Sequence, residues 1–127
     1  MHQFKKHFTL DEARALLPTL REIFASIQKH KAALEKAEEA SSKELERTGG
    51  DVGGKSVRQL VQSMTGLQES VTQIVQKGIQ VKDLDRGLVD FPSIRDGREV
   101  FLCWELEEDD IEFWHDIEAG YAGRERL

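Results

Sequence analysis

The sequence lacks several features that mark common classes of protein. One cysteine in 127 residues excludes an internal disulfide framework and provides no CxxC zinc motif. No apolar run approaches 18 residues and no signal-peptide core is present, so we expect a cytoplasmic protein. Basic residues are also scarce in the second half, since the net charge is +1 over residues 1–55 and −7 over residues 56–127. This acidic half argues against nucleic-acid binding, which needs a basic face to neutralise phosphates.

The amino-acid composition is typical of a soluble, helix-rich protein. Hydrophobic residues make up 39% of the chain and charged residues 33%. A chain of 127 residues is long enough to bury one modest core. We therefore expect a single α+β domain over residues 1–127, with a helical hairpin at about 9–77 and β-strands with a C-terminal loop at about 79–127.

The first helix is predicted to begin at a capping box and to be the longer of the two hairpin arms. Thr9 and Glu12 have the capping-box spacing, and an amphipathic pattern continues from there to about Arg47. Pro18 lies inside this pattern and should kink the helix. The start of this helix extends past the second arm, so the C-terminal region must cover its apolar residues. These residues are Leu16, Leu17, Leu20 and Phe24.

A second helix is predicted at about 55–77, after a glycine-rich break at 48–54. Gly78 is suited to the left-handed conformation that ends a helix. The heptad pattern predicts that this helix packs antiparallel on the first in a coiled-coil-like hairpin, with His30 of the first helix also on the seam. The predicted seam residues of the second helix are Val57, Leu60, Met64, Leu67, Val71 and Ile74.

The C-terminal part is predicted to form a three-stranded antiparallel meander. Asp96-Gly97 between two alternating segments indicates a type I′ hairpin of residues 88–95 with residues 98–106. Pro92 suggests that the first of these strands lies at the edge of the sheet. The third strand is expected at 111–116, after a four-residue turn.

The hairpin turn also predicts which side chains share a face of the sheet. If Arg95 pairs with Arg98, Asp90 lies directly opposite Cys103 on the face turned away from the core. A regular four-residue second turn would place His115 on the other face, beside the core residue Leu102.

Residues Gly49 to Ser56 match the P-loop pattern G-x-x-x-x-G-K-S letter for letter. A working P-loop follows a buried strand, because the loop and the next helix together cradle phosphate. Here the preceding residues are a charged helix end, so a hairpin turn is the preferred interpretation. Nucleotide hydrolysis is the least favoured function.

Two groups of residues in the C-terminal part are candidates for chemistry. Asp90, Cys103, His115 and Asp116 could hold a divalent metal, since a borderline metal accepts carboxylate, thiolate and imidazole ligands together. The alternative is structural packing, in which Cys103 acts as a small buried hydrophobe. Separately, the glycine-rich loop 120–124 with Arg124 could bind an anion, or Arg124 could instead pair with the acidic strands.

Several stretches resemble a known prokaryotic family, the domain-of-unknown-function family 2203. They are FTLDEARALLPTLR at 8–21, GLVDFP at 87–92, GREVFLCWEL at 97–106, WHD at 114–116 and GYAGR at 120–124. The resemblance covers nearly the whole chain but implies a signature and no reaction. It adds weight to Asp90, Trp104, Gly123 and Arg124 as ligand- or anion-binding residues, and to Cys103 and His115 as site residues.

The leading functional hypothesis is self-association or partner binding by the helical arm. An exposed two-helix arm buries little surface, so a second copy could complete a four-helix bundle and give a homo-oligomer. The alternative is a metal- or anion-dependent activity at the sheet edge, using Asp90, Cys103, His115, Asp116 and Arg124. No catalytic residue is assigned, and no membrane contact is expected.

Overall fold

A computed structural model describes residues 2–48 and 54–127 and shows an α+β fold, in which a long helix pair is joined to one antiparallel sheet. The helices are α1 (Leu10–Ala15), α2 (Leu17–Thr48) and α3 (Lys55–Gln76). The strands are β1 (Gln80–Asp83), β2 (Leu88–Arg95), β3 (Arg98–Trp104), β4 (Phe113–Asp116) and β5 (Glu125–Arg126). Most of the P-loop-like match lies outside the described residues. None of the described helices is long and apolar enough to cross a membrane.

The predicted capping box is confirmed at the start of α1. The backbone N–H of Glu12 donates to Thr9 Oγ1 at 3.1 Å, and the N–H of Thr9 donates to Glu12 Oε1 at 2.9 Å. The predicted kink is a break between α1 and α2 at Leu16, two residues before Pro18. Pro18 therefore lies in the first turn of α2, where its missing N–H leaves no hydrogen bond unmade.

The sheet has five strands in the order β1-β2-β3-β4-β5, so the prediction of three strands is wrong. The two additional strands are short and lie at the two edges. β1 pairs Gln80 with Asp90 of β2, and β5 pairs Glu125 with Trp114 of β4. Both are polar segments of four and two residues, so neither has the long apolar alternation that indicates a strand.

The placement of Pro92 on an edge strand is also wrong, because β2 lies between β1 and β3. The proline is tolerated because β1 reaches only as far as Asp90 along β2. Beyond that point the Pro92 carbonyl accepts a hydrogen bond from the Phe8 N–H at 2.8 Å. Neither neighbouring strand requires a backbone N–H from Pro92, which has none to donate.

The predicted hairpin register is confirmed. Arg95 pairs with Arg98, and Asp90 pairs with Cys103. Asp96 and Gly97 have φ angles of 52° and 79°, the left-handed values that a type I′ turn requires.

The predicted register of the next strand pair is wrong by one residue. Eight residues, 105–112, connect β3 to β4 in place of the expected four. His115 therefore pairs with Phe101, and Trp114 pairs with Leu102. Since neighbouring positions on a strand point to opposite faces, this shift moves His115 away from the core face.

The long β3–β4 connection is held by groups from distant parts of the chain. Arg21 of α2 donates to the carbonyls of Leu106 at 3.2 Å and Glu108 at 3.1 Å. Arg14 of α1 donates to the Ile111 carbonyl at 3.2 Å. The indole N–H of Trp104 donates to the same Glu108 carbonyl at 2.9 Å. These bonds satisfy carbonyls that a regular tight turn would have paired within itself.

The core lies between α1, the start of α2, the end of α3 and one face of the sheet, as predicted for the unequal hairpin. Leu20, Phe24 and Ile27 of α2 are fully buried, and so is Trp104 of β3. The remaining sheet residues of this cluster are Val89, Phe91, Val100, Leu102 and Trp114, and Ile111 of the β3–β4 connection joins them.

The residues of α3 that face α2 differ in part from the predicted seam. Ser63, Ser70 and Ile74 are buried, whereas the predicted seam residue Met64 is exposed. The seam is therefore rotated by about one residue toward the serines. His30 of α2 lies on this seam as expected, with its ring against Gly66, where a Cβ would collide with it.

Candidate functional site

Three buried side chains from neighbouring strands meet on the outer face of the sheet, the face turned away from the helices. They are Asp90 of β2, Cys103 of β3 and His115 of β4, with exposed fractions of 3%, 1% and 1%. One oxygen, sulfur or nitrogen atom from each lies within 4.8 Å of the other two. The register brings them together, because Asp90 pairs with Cys103 and His115 pairs with the nearby Phe101.

Both ring nitrogens of His115 have hydrogen-bond partners. Nε2 lies 3.0 Å from Asp90 Oδ1, and Nδ1 lies 2.8 Å from the Asp116 carbonyl oxygen. A carbonyl only accepts, so Nδ1 carries a proton and a second proton lies between Nε2 and Asp90. Burial acts to lower the pKa of His115, but the hydrogen bonds to Asp90 and to the Asp116 backbone outweigh it and raise this pKa.

Cys103 is a thiol at neutral pH. Burial, with a further contribution from the Asp90 carboxylate, raises the pKa of Cys103 to about 12. The thiolate is the reactive form of cysteine, so this side chain is not a ready nucleophile. The cluster can hold and move a proton between Asp90 and His115 more readily than it can attack a substrate.

The three side chains line a pocket of about 180 Å³. Lys82 of β1 lies above one wall, with Nζ 5.5 Å from the centre of the Phe101 ring. Tyr121, from the short 3₁₀ helix Tyr121–Gly123, lies at another side. The other lining residues are Leu88, Ile117 and Gly120.

Tyr121 is fixed in place by charged neighbours. Its hydroxyl donates to Glu105 Oε1 at 3.0 Å, and Arg86 Nη2 donates to Glu105 Oε2 at 2.6 Å. The guanidinium carbons of Arg86 and Arg124 lie 4.3 Å and 4.7 Å from the centre of the tyrosine ring. Cation–π contacts of this kind hold the aromatic ring beside the pocket.

Arg124, predicted as an anion-binding residue, already has an anionic partner. Its Nη2 lies 2.7 Å from both carboxylate oxygens of Glu108, and its side chain is only 10% exposed. Its guanidinium also lies 4.0 Å from the centre of the Phe113 ring. This geometry agrees with the alternative expectation, in which Arg124 pairs with the acidic strand region.

The comparisons identify the family but no function. The model of the uncharacterised conserved protein family DUF2203 matches residues 6–127. The chain belongs to the DUF2203 family. A search of curated proteins and a search of solved structures each found no match. Membership confirms the resemblance noted in the sequence, and because this DUF2203 family is uncharacterised, it assigns no reaction.

The other predicted site residues of this DUF2203 chain lie away from the pocket. The Asp116 carboxylate pairs with Arg98 at 3.2 Å, so Asp116 contributes only its carbonyl to the cluster. Trp104 lies on the core face of the sheet. Gly123 ends the 3₁₀ helix, where an added Cβ would lie 2.7 Å from the Ala119 Cβ.

Sequence reasoning missed Lys82 as a pocket residue of this DUF2203 chain. The reason is that β1 was not predicted. The available signal was weak, namely the apolar–polar alternation of residues 79–82 directly after the helix-ending Gly78. Tyr121 was recognised only as part of the glycine-rich loop.

Proposed function

We propose that this protein acts by self-association through one face of α3. The observation that supports this is a second heptad pattern on the helix, which we call the valine stripe. Successive stripe residues are separated by 4, 3, 4, 3 and 4 positions, the repeat with which helices pack on one another. The valine stripe consists of Val57, Val61, Met64, Gln68, Val71 and Val75.

Five of the six valine-stripe residues are apolar and four of the six are exposed, whereas Val71 is partly buried against the core. Val61, Met64 and Val75 are 54%, 55% and 55% exposed. The neighbouring face of α3, which includes the buried Ser63, Ser70 and Ile74, is occupied by packing on α2. A helix with two such faces buries both only if it has two partners.

A second copy of the same chain fits the valine stripe better than an unrelated partner. The spacing reads the same in both directions, so two antiparallel α3 helices can pack about a two-fold axis near Gly66. Val57 would then face the partner's Val75, and Val61 the partner's Val71. Two-fold self-association requires a surface that is complementary to itself, whereas binding to an unrelated partner does not. Between Val57 and Val75, α3 carries only Arg58 and Glu69 as charged residues, so little charge opposes the contact.

Disulfide cross-linking tests this arrangement. A Val57→Cys protein mixed with a Val75→Cys protein should form a mixed disulfide under mild oxidation, because the two positions face each other. The matched control pairs Gln59→Cys with Gln73→Cys, which have the same symmetric placement on another side of α3. Cross-linking that is equal in both pairings would contradict the proposal. A disulfide that forms readily between two copies of Val57→Cys, with no Val75→Cys protein present, would also contradict the proposal, since that contact indicates parallel helices.

A second candidate function is the binding of a small anionic ligand in the pocket of Asp90, Cys103 and His115. The observation that favours it is Lys82, a cation at the pocket wall that forms no salt bridge among the described residues. The Asp90–His115 pair could exchange a proton with such a ligand. A volume of about 180 Å³ is below the usual range for drug-sized ligands, so a molecule of few atoms is expected.

Nuclear magnetic resonance titration tests the pocket. Acetate and inorganic phosphate serve as separate probes, and either should shift the resonances of His115 and Tyr121 in a saturable manner. Lys82→Gln should weaken this binding by about tenfold, the effect of about 1.4 kcal/mol for one charge-assisted contact. Lys77→Gln, at the end of α3, is the matched control and should change nothing. Shifts that survive Lys82→Gln unaltered would remove the pocket as an anion site.

A further inference from the structure

A second cluster of metal-ligand side chains lies at the other end of the outer sheet face. It consists of His2 and His7 from the segment before α1 and Glu99 from β3. One ligand atom from each residue lies within 4.8 Å of the other two. His2 is exposed, whereas His7 and Glu99 are half-buried. The cluster is separate from the pocket described above, with which it shares no residue.

The segment 2–8 is positioned on the sheet by contacts along its length. The backbone N–H groups of Gln3 and Phe4 donate to the two oxygens of Glu99 at 2.5 Å and 2.8 Å. The Phe4 ring packs on Phe101 with 5.3 Å between ring centres. At its end the Phe8 N–H bonds to the Pro92 carbonyl. Gln3 and Phe4 lie between the two histidines, so their backbone bonds to Glu99 hold both imidazoles near the same carboxylate.

The spacing and the charge of these residues suit a transition metal. His2 and His7 form a His-x₄-His pair, and structural zinc sites use pairs of histidines separated by three to five residues. Both carboxyl oxygens of Glu99 accept hydrogen bonds from backbone N–H groups, as an ionised carboxylate does, and the carboxylate is the form that binds a metal.

We propose that His2, His7 and Glu99 bind one zinc ion. His7 Nε2 and Glu99 Oε2 are 2.8 Å apart, and a tetrahedral zinc site with ligand bonds of about 2.1 Å needs about 3.4 Å between two ligand atoms. A small movement of the exposed segment would supply the difference. Three protein ligands leave the fourth position for water, as in zinc sites that remain open.

Zinc at this position would clamp the N-terminal segment onto the outer sheet face. Phe4 would be held against Phe101, and the Phe101 ring lies 5.4 Å from the ring of His115. The metal would therefore order one wall of the neighbouring pocket. This consequence needs no contact between the metal and the pocket residues.

Zinc binding by untagged protein is the direct test. Competition against a colorimetric zinc chelator should give one zinc ion per chain, and His7→Gln or Glu99→Gln should weaken binding by more than about tenfold, since even loss of an outer-shell partner costs 10–100-fold. His30→Gln, which alters a histidine between the helices, should bind as the wild type does. Absence of zinc binding in the wild type overturns the proposal, as does binding that survives His7→Gln but is lost in His115→Gln.

Limited proteolysis gives a readout that does not depend on the chelator. Lys5 and Lys6 are exposed and lie between the two histidines, so trypsin should cut there. Zinc should slow this cleavage in the wild type and in His30→Gln, and should leave it unchanged in His7→Gln. Equal cleavage with and without zinc in the wild type would also overturn the proposal.

Discussion

Replacing Asp90 with alanine should lower the free energy of unfolding by about 3–5 kcal/mol, the usual cost of removing one partner of a buried ion pair. The aspartate is the partner of His115 Nε2 at 3.0 Å, and both side chains are almost fully buried. The truncated protein would leave the imidazole without a partner and would place a cavity beside it. Urea denaturation followed by circular dichroism measures the difference.

Asp116→Ala is the matched control for this substitution. The Asp116 carboxylate is half-exposed and pairs on the surface with Arg98, so its loss should cost no more than about 1 kcal/mol. Equal losses of unfolding free energy in the two variants would show that the buried pair stabilises the fold no more than the surface pair does.

The same pair should make stability depend on pH. The pKa of His115 is raised in the folded protein, so the stabilisation is fully present below the unfolded value of about 6.5 and is lost as pH rises through the folded pKa. Besides Asp90 and the Asp116 backbone, which raise this pKa, the charge of Lys82 acts to lower it. In His115→Gln this part of the pH dependence should disappear.

Local signals were sufficient to predict the parts of the fold that neighbouring residues determine. The Asp96-Gly97 turn allows one register, and this register by itself places Asp90 opposite Cys103. The Thr9–Glu12 capping box is likewise complete within four residues. Both were predicted because the groups that satisfy the backbone are close in sequence.

The position of His115 could not be predicted, because it depends on contacts between distant residues. Arg14 and Arg21 bind the carbonyls of the 105–112 connection from 85 or more residues away. These bonds hold an eight-residue connection, and β4 pairs with β3 one position away from the predicted register. A one-residue shift moves every side chain to the other face, which is why His115 joins Asp90 on the outer face.

The predicted seam of α3 lies one residue away from the observed seam for a different reason. Hydrophobicity favoured Met64 at a position where the structure has Ser63. Serine is small and lets two helices approach, and the Ser63 hydroxyl is satisfied by the Gln59 carbonyl of its own helix at 2.9 Å. Three of the predicted seam residues, Val57, Met64 and Val71, belong to the valine stripe.

The double substitution Val61→Glu with Met64→Glu should abolish self-association. It places four carboxylates in the proposed two-fold interface, where they would be desolvated beside one another. We expect the dissociation constant to rise by more than about a hundredfold, which corresponds to about 2.7 kcal/mol. The fold should persist, since both positions are exposed in one chain.

Gln59→Glu with Gln62→Glu is the control for this experiment. It adds the same charge to the same helix at the same spacing, on the polar side of α3 that borders α2. A general effect of added charge would appear in both variants, whereas an effect of the valine stripe appears in only one.

The most direct measurement is the mass in solution of the wild type and these two variants, determined by sedimentation velocity over a range of concentrations. Self-association through the valine stripe requires a mass of two or more chains for the wild type and for Gln59→Glu/Gln62→Glu. It also requires a mass of one chain for Val61→Glu/Met64→Glu. A single-chain wild type at every concentration would contradict the proposed function, as would an assembly that the valine-stripe substitutions leave intact.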